Sequence, residues 1–305
     1  MLTCEHYLTP TTLDEAFACL ERFGGTARIV AGATDLLPWA REGRAGDVHY
    51  SALIDVSRIP ELCGVERTGE RLRIGANTTV AAFLADPLLV RYAPVLRQCA
   101  VWFADDPIRE QATLGGNLVN ASPAADSTPP MLAMNATVTL ASRRDGRTAT
   151  RTLPLGQFVL GPGKTVLQPG ELVTHVECDA TEGYGSAFEK VGHRRSLVIS
   201  TVCAAALVKL DRGASRFEDV RIALGAVGPV PERLTDCERL LVGKPVSASR
   251  IREAAERAVE RVRSRTRREY RREVVVNFVE RAVCNAIGEL GAAVAQDAAK
   301  ERRCA

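Results

Sequence analysis

The residues best suited to binding chemistry lie in one stretch of small and polar side chains, residues 112–126. Gly115 and Gly116 lack a Cβ atom, so the backbone there can take positive φ and let its N–H groups approach an anion closely. Neighbouring side chains add hydrogen-bond donors: Thr113, Asn117, Asn120 and Ser122. Asp126 would repel a phosphate, but it can accept hydrogen bonds from a ribose or an adenine amine. The stretch therefore suits a nucleotide, and the alternative is a Gly-Gly turn followed by an ordinary loop.

A second loop of small residues, Ala31-Gly-Ala-Thr-Asp-Leu36, follows a short strand predicted at residues 28–30. A strand that leads into such a turn is a common phosphate-binding arrangement. Neither loop has the alternating glycines of the dinucleotide-binding fingerprint, so a Rossmann domain is not expected. Gly163-Lys164-Thr165 ends like a P-loop, but Phe158 stands where the first glycine of that motif belongs. A P-loop is therefore not expected either.

These loops belong to a longer set of motifs that share their order with one protein family. The motifs are Ala31–Leu36, Trp102–Asn117, Ala121–Asp126, Lys164–Leu167, Ser186–Lys190, Arg194–Arg195 and Tyr270–Arg272. Together they resemble the FAD-binding subunit of the molybdenum hydroxylases, which include bacterial xanthine and carbon monoxide dehydrogenases. The resemblance covers nearly the whole chain. One departure is Ala33, which stands where relatives commonly have a second glycine. If the position needs positive φ, a methyl group costs ~1 kcal/mol or more, so either the backbone at Ala33 is ordinary or FAD is held slightly less well.

The resemblance implies an oxidoreductase subunit that carries FAD and transfers electrons. The sequence offers no nucleophile with an attendant base and no metal cage, so the difficult chemistry is expected to belong to a cofactor. In the family, electrons leave a molybdenum–pterin cofactor on a large subunit and cross two [2Fe-2S] clusters on a small subunit. They then reduce the FAD, which passes them to NAD⁺, oxygen or another external acceptor. The implied assembly is a dimer of heterotrimers.

The resemblance also implies a set of FAD contacts. They are Ile29, Val30, Ala31, Gly32, Ala33, Thr34, Asp35, Leu36, Phe103, Ala104, Thr113, Leu114, Gly115, Gly116, Asn117, Ser122, Asp126, Val166, Leu167 and Lys190. Backbone N–H groups of residues 32–35 and 114–116 would hold the diphosphate, and Val166 or Leu167 would pack on the ring system. Asp126 would bind on the ribose or adenine side.

Two of these positions have alternative interpretations. Lys190 is the candidate for tuning the flavin, because a cation at the pyrimidine edge favours the anionic reduced form. It could equally be an exposed lysine at the end of a strand. Phe103, with Trp102 before it, could be a core side chain rather than a flavin contact.

Strands and helices intermix without regular alternation, which predicts an α+β fold. The resemblance divides it into a two-part FAD-binding domain of the PCMH (vanillyl-alcohol-oxidase-like) type, residues 1–178, and a smaller α+β domain, residues 185–291. The second resembles the C-terminal domain of the CO dehydrogenase flavoprotein, and residues 292–305 form a tail. Local signals predict a capped helix from Thr12, a helix from Thr78, and hairpins around Gly69 and Asp145-Gly146. Two final helices are predicted at residues 249–263 and 269–290.

Composition excludes several other classes of protein. The 305 residues are 46% hydrophobic and 25% charged, as in a globular protein, and the net charge of +3 gives no strong preference for nucleic acid. The arginine-rich residues 261–272 contain one aromatic ring, Tyr270, so a solvated helix face is favoured over nucleic-acid binding. No apolar run reaches the ~20 residues of a membrane span. The N-terminus has no signal-peptide pattern, which predicts a cytoplasmic protein.

Nine cysteines without a Cys-x-x-Cys pair predict reduced thiols, with no metal or iron–sulfur cluster in this chain. Two alternatives to the electron-transfer subunit are open on the sequence. One is a self-contained FAD-dependent oxidase, which would need its own substrate pocket. The other is a flavin-free scaffold that assembles partner subunits, which would leave both small-residue loops unexplained.

Overall fold

The computed structural model describes residues 2–42, 48–144, 146–194 and 197–294. The strands are β1 Leu2–Leu8, β2 Ala27–Val30, β3 Val48–Asp55, β4 Val65–Thr68, β5 Arg71–Gly75, β6 Thr137–Arg144, β7 Arg147–Pro154, β8 Val159–Gly161, β9 Lys164–Thr165, β10 Leu172–Asp179, β11 Gly185–Val191, β12 Val202–Leu210, β13 Phe217–Gly225 and β14 Glu232–Arg233. The helices are α1 Leu13–Phe23, α2 Leu36–Arg41, α3 Ala82–Ala85, α4 Pro87–Tyr92, α5 Pro94–Trp102, α6 Asp106–Gln111, α7 Leu114–Asn120, α8 Thr128–Ala133, α9 Leu155–Phe158, α10 Thr235–Leu241, α11 Ala248–Glu256 and α12 Arg268–Glu289. Asp145, Arg195 and the tail beyond residue 294 lie outside the described residues. The α+β prediction is confirmed.

The chain forms two compact units, each built from three separate segments of the sequence. The first comprises Met1–Val90, Phe103–Ser122 and Asn135–Asp179, and the second comprises Arg91–Trp102, Pro123–Met134 and Ala180–Ala305. Two segments inside the predicted first domain thus belong to the second unit. The reason is packing, since α5 lies against β11 and β12, and α8 lies against β12 and β13.

The first unit contains a parallel sheet that delivers the small-residue loop. Its strand order is β1-β3-β2, with β3 pairing parallel to both neighbours. Helix α1 packs on this sheet, and its buried Phe17 and Leu20 share a hydrophobic cluster with Ile54 of β3. Thr12 caps the helix by accepting a hydrogen bond from the Glu15 N–H, as the sequence predicts. Strand β2 then ends directly before residues 31–36.

The first unit also contains an antiparallel sheet with the order β4-β5-β10-β6-β7. The two predicted hairpins are confirmed, since β4 pairs with β5 and β6 pairs with β7. The central strand β10, which pairs with β5 and β6, was not predicted from the sequence. This strand follows the cleft-lining residues described below, so it anchors one wall of the site.

The second unit is an antiparallel sheet, β11-β12-β13-β14, with helices packed on it. Alternate residues of β12, such as Ala204 and Ala206, join the core formed with α10, α11 and α12. The intervening residues Cys203, Ala205 and Leu207 are also fully buried. Both faces of the sheet are therefore covered, which explains why β12 is apolar at nearly every position.

Two predicted helices are shorter than expected. The helix predicted from Thr78 begins only at Ala82, because the Val80 N–H donates to the Ala112 carbonyl and the Ala81 N–H to that of Arg109. The helix predicted to reach residue 263 ends at Glu256 and continues as a 3₁₀ turn. Within the described ranges, no helix is long and apolar enough to cross a membrane.

Candidate functional site

A cleft of about 350 Å³ lies within the first unit. That volume falls within the range of ligand pockets, about 300–1,000 Å³. Three segments line it, at residues 27–36, 112–120 and 167–173, and Phe103 contributes an aromatic ring. The two small-residue loops predicted to bind a nucleotide therefore face one cleft. The third segment adds the turn before β10.

The first loop is tightly packed and offers backbone donors. A Cβ atom at Gly32 would lie 1.7 Å from the Gln111 carbonyl oxygen, so only glycine fits there. Ala33 has φ of 54°, in the left-handed region, where a methyl group costs about 1–2 kcal/mol. The ordinary backbone considered for Ala33 is thus wrong. Among the described residues, no protein acceptor is found for the N–H groups of residues 32–35, so they can serve an anion.

The second segment is a helix start rather than a loop. Thr113 caps α7, and its Oγ1 accepts a hydrogen bond from the Gly116 N–H at 3.1 Å. Neither Gly115 nor Gly116 has positive φ, so neither uses the left-handed conformation that glycine allows. Glycine is needed at 115 for close approach, because a Cβ there would lie 2.8 Å from the Ala76 Cβ and 2.9 Å from its carbonyl oxygen.

The N–H groups of residues 114–116 already have acceptors within the protein. The Leu114 N–H donates to the Thr78 carbonyl at 2.9 Å, and the Gly115 N–H to the Ala76 carbonyl at 2.8 Å. In this structure these N–H groups are thus already used, and their contact with a diphosphate stays a prediction. On this side, the cleft wall offers the side chains of Thr113 and Asn117 instead.

A hydrogen bond joins the two glycine-containing segments. The Asn120 side-chain amide donates to the Asp35 carboxylate at 3.1 Å. Burial raises the pKa of Asp35 because the charged form is poorly solvated there. This hydrogen bond gives the partly buried Asp35 carboxylate a donor. It also holds the first loop against α7.

The third segment carries a turn that was not predicted from the sequence. Gln168-Pro169-Gly170-Glu171 has the form of a type II β-turn, with the Glu171 N–H donating to the Gln168 carbonyl at 3.0 Å and Gly170 at φ of 83°. The Pro-Gly dipeptide was the available signal. Leu167, immediately before the turn, lines the cleft as predicted for a residue that packs on a ring system.

Residues 3–178 match the model of the FAD-binding domain in molybdopterin dehydrogenases. The chain belongs to this family. Residues 186–286 of the chain match the C-terminal domain of CO dehydrogenase flavoproteins, which confirms the resemblance seen in the sequence. These two matches begin and end close to the predicted domain limits.

Relatives of the flavoprotein are similar along most of their length. The medium chain of carbon monoxide dehydrogenase from Hydrogenophaga pseudoflava is 30% identical over 254 residues, covering 83% of this chain and 85% of the relative. A putative xanthine dehydrogenase FAD-binding subunit of Escherichia coli K12 is 29% identical over 272 residues, covering 87% and 90%. A solved structure of the Hydrogenophaga pseudoflava carbon monoxide dehydrogenase aligns with a TM-score of 0.85 at 28% identity, covering 93% of this chain and 97% of that chain. The flavoprotein is therefore an oxidoreductase subunit with the fold of that family.

The flavoprotein's cleft brings together many of the predicted FAD contacts. Those that line it are Ile29, Val30, Ala31, Gly32, Ala33, Thr34, Asp35, Leu36, Phe103, Thr113, Gly115, Gly116, Asn117 and Leu167. Those that do not are Ala104, Leu114, Ser122, Val166, Asp126 and Lys190. Leu114 is fully buried, and the carbonyl of Val166 accepts a hydrogen bond from Arg151. Of the two residues proposed for the ring system, Leu167 is thus the one on the cleft.

Asp126 and Lys190 belong to the second unit, where they bind each other. The Lys190 ammonium donates to the Asp126 carboxylate at 2.6 Å and to the Trp102 carbonyl at 3.2 Å. The Ser200 hydroxyl donates to the other carboxylate oxygen at 2.5 Å. The side chains of Lys190 and Asp126 are 4% and 8% exposed, so the alternative of an exposed lysine is wrong. Their predicted contacts with the flavin and the ribose stay a prediction.

Burial and charge act in opposite directions on the Asp126 carboxyl. Burial raises its pKa, and the Lys190 ammonium together with the Ser200 hydroxyl counteracts that rise. The carboxylate therefore depends on its partners to stay charged. The pair therefore contributes to the stability of the second unit.

Proposed function

We propose that this chain holds FAD noncovalently in the cleft of the first unit and acts as the electron-transfer flavoprotein of a molybdenum-hydroxylase-type complex. The observation that carries the proposal is the set of backbone N–H groups at residues 32–35 on the wall of the cleft, for which the described part of the chain provides no acceptor. Such groups suit the diphosphate of a dinucleotide. The family to which the chain belongs is defined by FAD binding.

The residues present fit FAD in chemistry as well as in space. The N–H groups of residues 32–35 would donate to the diphosphate, with Thr113 and Asn117 offering side-chain hydrogen bonds. Leu167 and Phe103 would provide apolar surface for the ring system. When bound, FAD supplies the ability to take up electrons from a donor and release them to an acceptor. The chain's own part is to bind the cofactor and to exclude water from the covered ring.

The names of the relatives support a proposal about partner subunits. The similar proteins are a medium chain and an FAD-binding subunit, which places them in larger assemblies. We propose a small [2Fe-2S] subunit that donates electrons, a large molybdopterin subunit, and an external acceptor that receives electrons from the flavin. A dimer of heterotrimers and a cytoplasmic location stay predictions.

The first experiment tests FAD binding. The purified protein should show the visible spectrum of oxidised flavin, and acid precipitation should release all of it. Asn117→Asp places a carboxylate on the cleft wall, so we expect the Kd for FAD to rise at least ~10-fold, about 1.4 kcal/mol. Asn117→Ala, the matched control, removes the amide without adding charge and should weaken binding less. A folded, colourless wild-type protein that takes up no FAD would contradict the proposal and favour the scaffold.

The second experiment tests the assembly. Expressed with its neighbours in the natural host, the tagged chain should co-purify with two further subunits, and the complex should contain iron, molybdenum and FAD. A protein that is isolated alone, holds FAD, and reduces oxygen directly with an organic substrate would instead be a self-contained oxidase.

A further inference from the structure

The turn at residues 168–171 is held by side chains as well as by its own backbone. Besides the turn's backbone bond, the Gln168 N–H donates to the Glu171 carboxylate at 2.8 Å. Val166, two residues before the turn, is also held in place, because its N–H donates to the Phe158 carbonyl at 3.0 Å. Leu167 lies between these two anchored points, so its position depends on both.

Arg151, on β7, connects the two points. Its Nε and Nη2 atoms donate to the two carboxylate oxygens of Glu171, each at 2.7 Å. Its Nη2 also donates to the Val166 carbonyl at 2.9 Å. One guanidinium group therefore binds the segment immediately before Leu167 and the segment immediately after it. Arg151 is not among the residues that line the cleft.

The geometry makes this contact stronger than a surface ion pair. Paired, charge-assisted hydrogen bonds between a guanidinium and a carboxylate are short and directional. The Glu171 side chain is only 4% exposed, whereas that of Arg151 is 39% exposed. The hydrogen bonds from Arg151 lower the pKa of Glu171 against the opposing effect of burial, so they favour the charged carboxylate. Without Arg151, an unpaired buried carboxylate would have to reach water, and the turn would have to move with it.

We propose that Arg151 is a positioning residue for the flavin: through Glu171 it holds residues 166–171 so that Leu167 presents its side chain to the ring system of FAD. We call the ion pair of Arg151 with Glu171 the clip; Arg151 itself does not line the cleft. The positioning role rests on the proposed function, since it assumes that FAD occupies the cleft. The clip itself is a feature of the protein alone and can be measured without FAD.

Three variants separate the clip from general stability. Arg151→Met keeps much of the apolar stem and removes the charged fork, whereas Arg151→Lys keeps the charge but cannot donate two parallel hydrogen bonds. Arg147→Met is the matched control, since Arg147 is an exposed arginine on the same strand. In FAD-free protein, hydrogen exchange of the Gln168 amide should accelerate about 10-fold or more in Arg151→Met, as expected when a charge-assisted hydrogen bond is lost. The control should match wild type.

The same proteins are then titrated with FAD. Arg151→Met should bind about 10-fold more weakly and show a shifted flavin visible spectrum, because the ring system loses its ordered neighbour. Arg151→Lys should recover part of both effects. Glu171→Gln should also weaken FAD binding. The double variant Arg151→Met/Glu171→Gln should bind FAD no more weakly than the weaker-binding single variant, because both changes break the same ion pair.

The outcomes distinguish the positioning role from the proposed function. Faster exchange at Gln168 together with weaker binding and a shifted spectrum supports the role. A wild type and an Arg151→Met variant that bind FAD equally tightly, with identical spectra, overturn the role even if exchange accelerates. A wild type that takes up no FAD overturns the proposed function and the role with it, while the exchange data still report the clip.

Discussion

The buried pair of Lys190 and Asp126 allows a sharp test of how the second unit is stabilised. Lys190→Met removes the ammonium and leaves a carboxylate whose side chain is 8% exposed. Removing one partner of a buried ion pair costs about 3–5 kcal/mol, because the remaining charge is poorly solvated. We expect the free energy of unfolding of the second unit to fall by about 3 kcal/mol.

The effect should also depend on pH in a defined direction. The Lys190 ammonium counteracts the burial that raises the pKa of Asp126, so its removal raises that pKa further. A carboxyl whose folded pKa lies above its unfolded value binds more protons in the folded state, so stability falls as pH rises. The cost of Lys190→Met should therefore be larger at about pH 8 than at about pH 5.

A double-mutant cycle and a control isolate the pair. In Lys190→Met/Asp126→Asn, the unpaired charge is gone, so the double variant should be more stable than the sum of the single effects predicts, by about 2 kcal/mol. The control is Lys209→Met, because the pair of Lys209 with Glu218, at 2.5 Å, is 39% and 50% exposed. Its loss should cost less than ~1 kcal/mol.

The assay is urea unfolding followed by Trp102 fluorescence. The chain has two tryptophans, so Trp39→Phe leaves Trp102 as the sole reporter. Its carbonyl accepts a hydrogen bond from Lys190, which places the reporter beside the change. The reasoning is refuted if the changes in unfolding free energy of the two single variants sum to that of the double variant within ~0.5 kcal/mol. It is also refuted if the destabilisation caused by Lys190→Met does not change with pH.

Three further predictions concern the first unit. Ala33→Gly should raise the free energy of unfolding by about 0.5–1 kcal/mol in chemical denaturation, because glycine accepts the left-handed φ of 54°. Gly32→Ala should lower that free energy by about 1–3 kcal/mol and abolish FAD retention on gel filtration, because its Cβ would collide with the Gln111 carbonyl. In native protein an aromatic disulfide should label exposed Cys63 and leave Cys178 unmodified until unfolding, because burial raises the pKa of Cys178 to about 12.

Elements marked by local signals could be predicted from the sequence. Thr12 begins a capped helix, and Gly69 lies in the turn between β4 and β5, because these signals act within a few residues. Strand β10 follows the local turn signal Pro169-Gly170, but its place at the centre of a sheet is not set locally. It pairs with β5, about a hundred positions earlier in the chain, and no local pattern contains that partner.

The site shows the same division between local and distant causes. The family motifs identified the cleft-lining loops, but the reason for glycine at 115 is contact with Ala76, which no motif reveals. Lys190 meets Asp126 across a separation of 64 positions, so its burial could not be read from the strand that carries it. Arg151 does not line the cleft, and its role becomes visible only through the bonds to Glu171.

The division of the chain into interleaved units has a consequence for its synthesis. Helices α5 and α8 leave the ribosome before the strands β11–β13 that they cover. Until those strands are made, apolar side chains that are fully buried in the finished protein, such as Leu96 and Met131, have no core to join. A nascent chain that ends at Asp179 thus contains the complete first unit and two unmatched pieces of the second. The second unit therefore cannot form until the C-terminal sheet has been made, and until then its two early segments expose apolar side chains, a condition that favours aggregation.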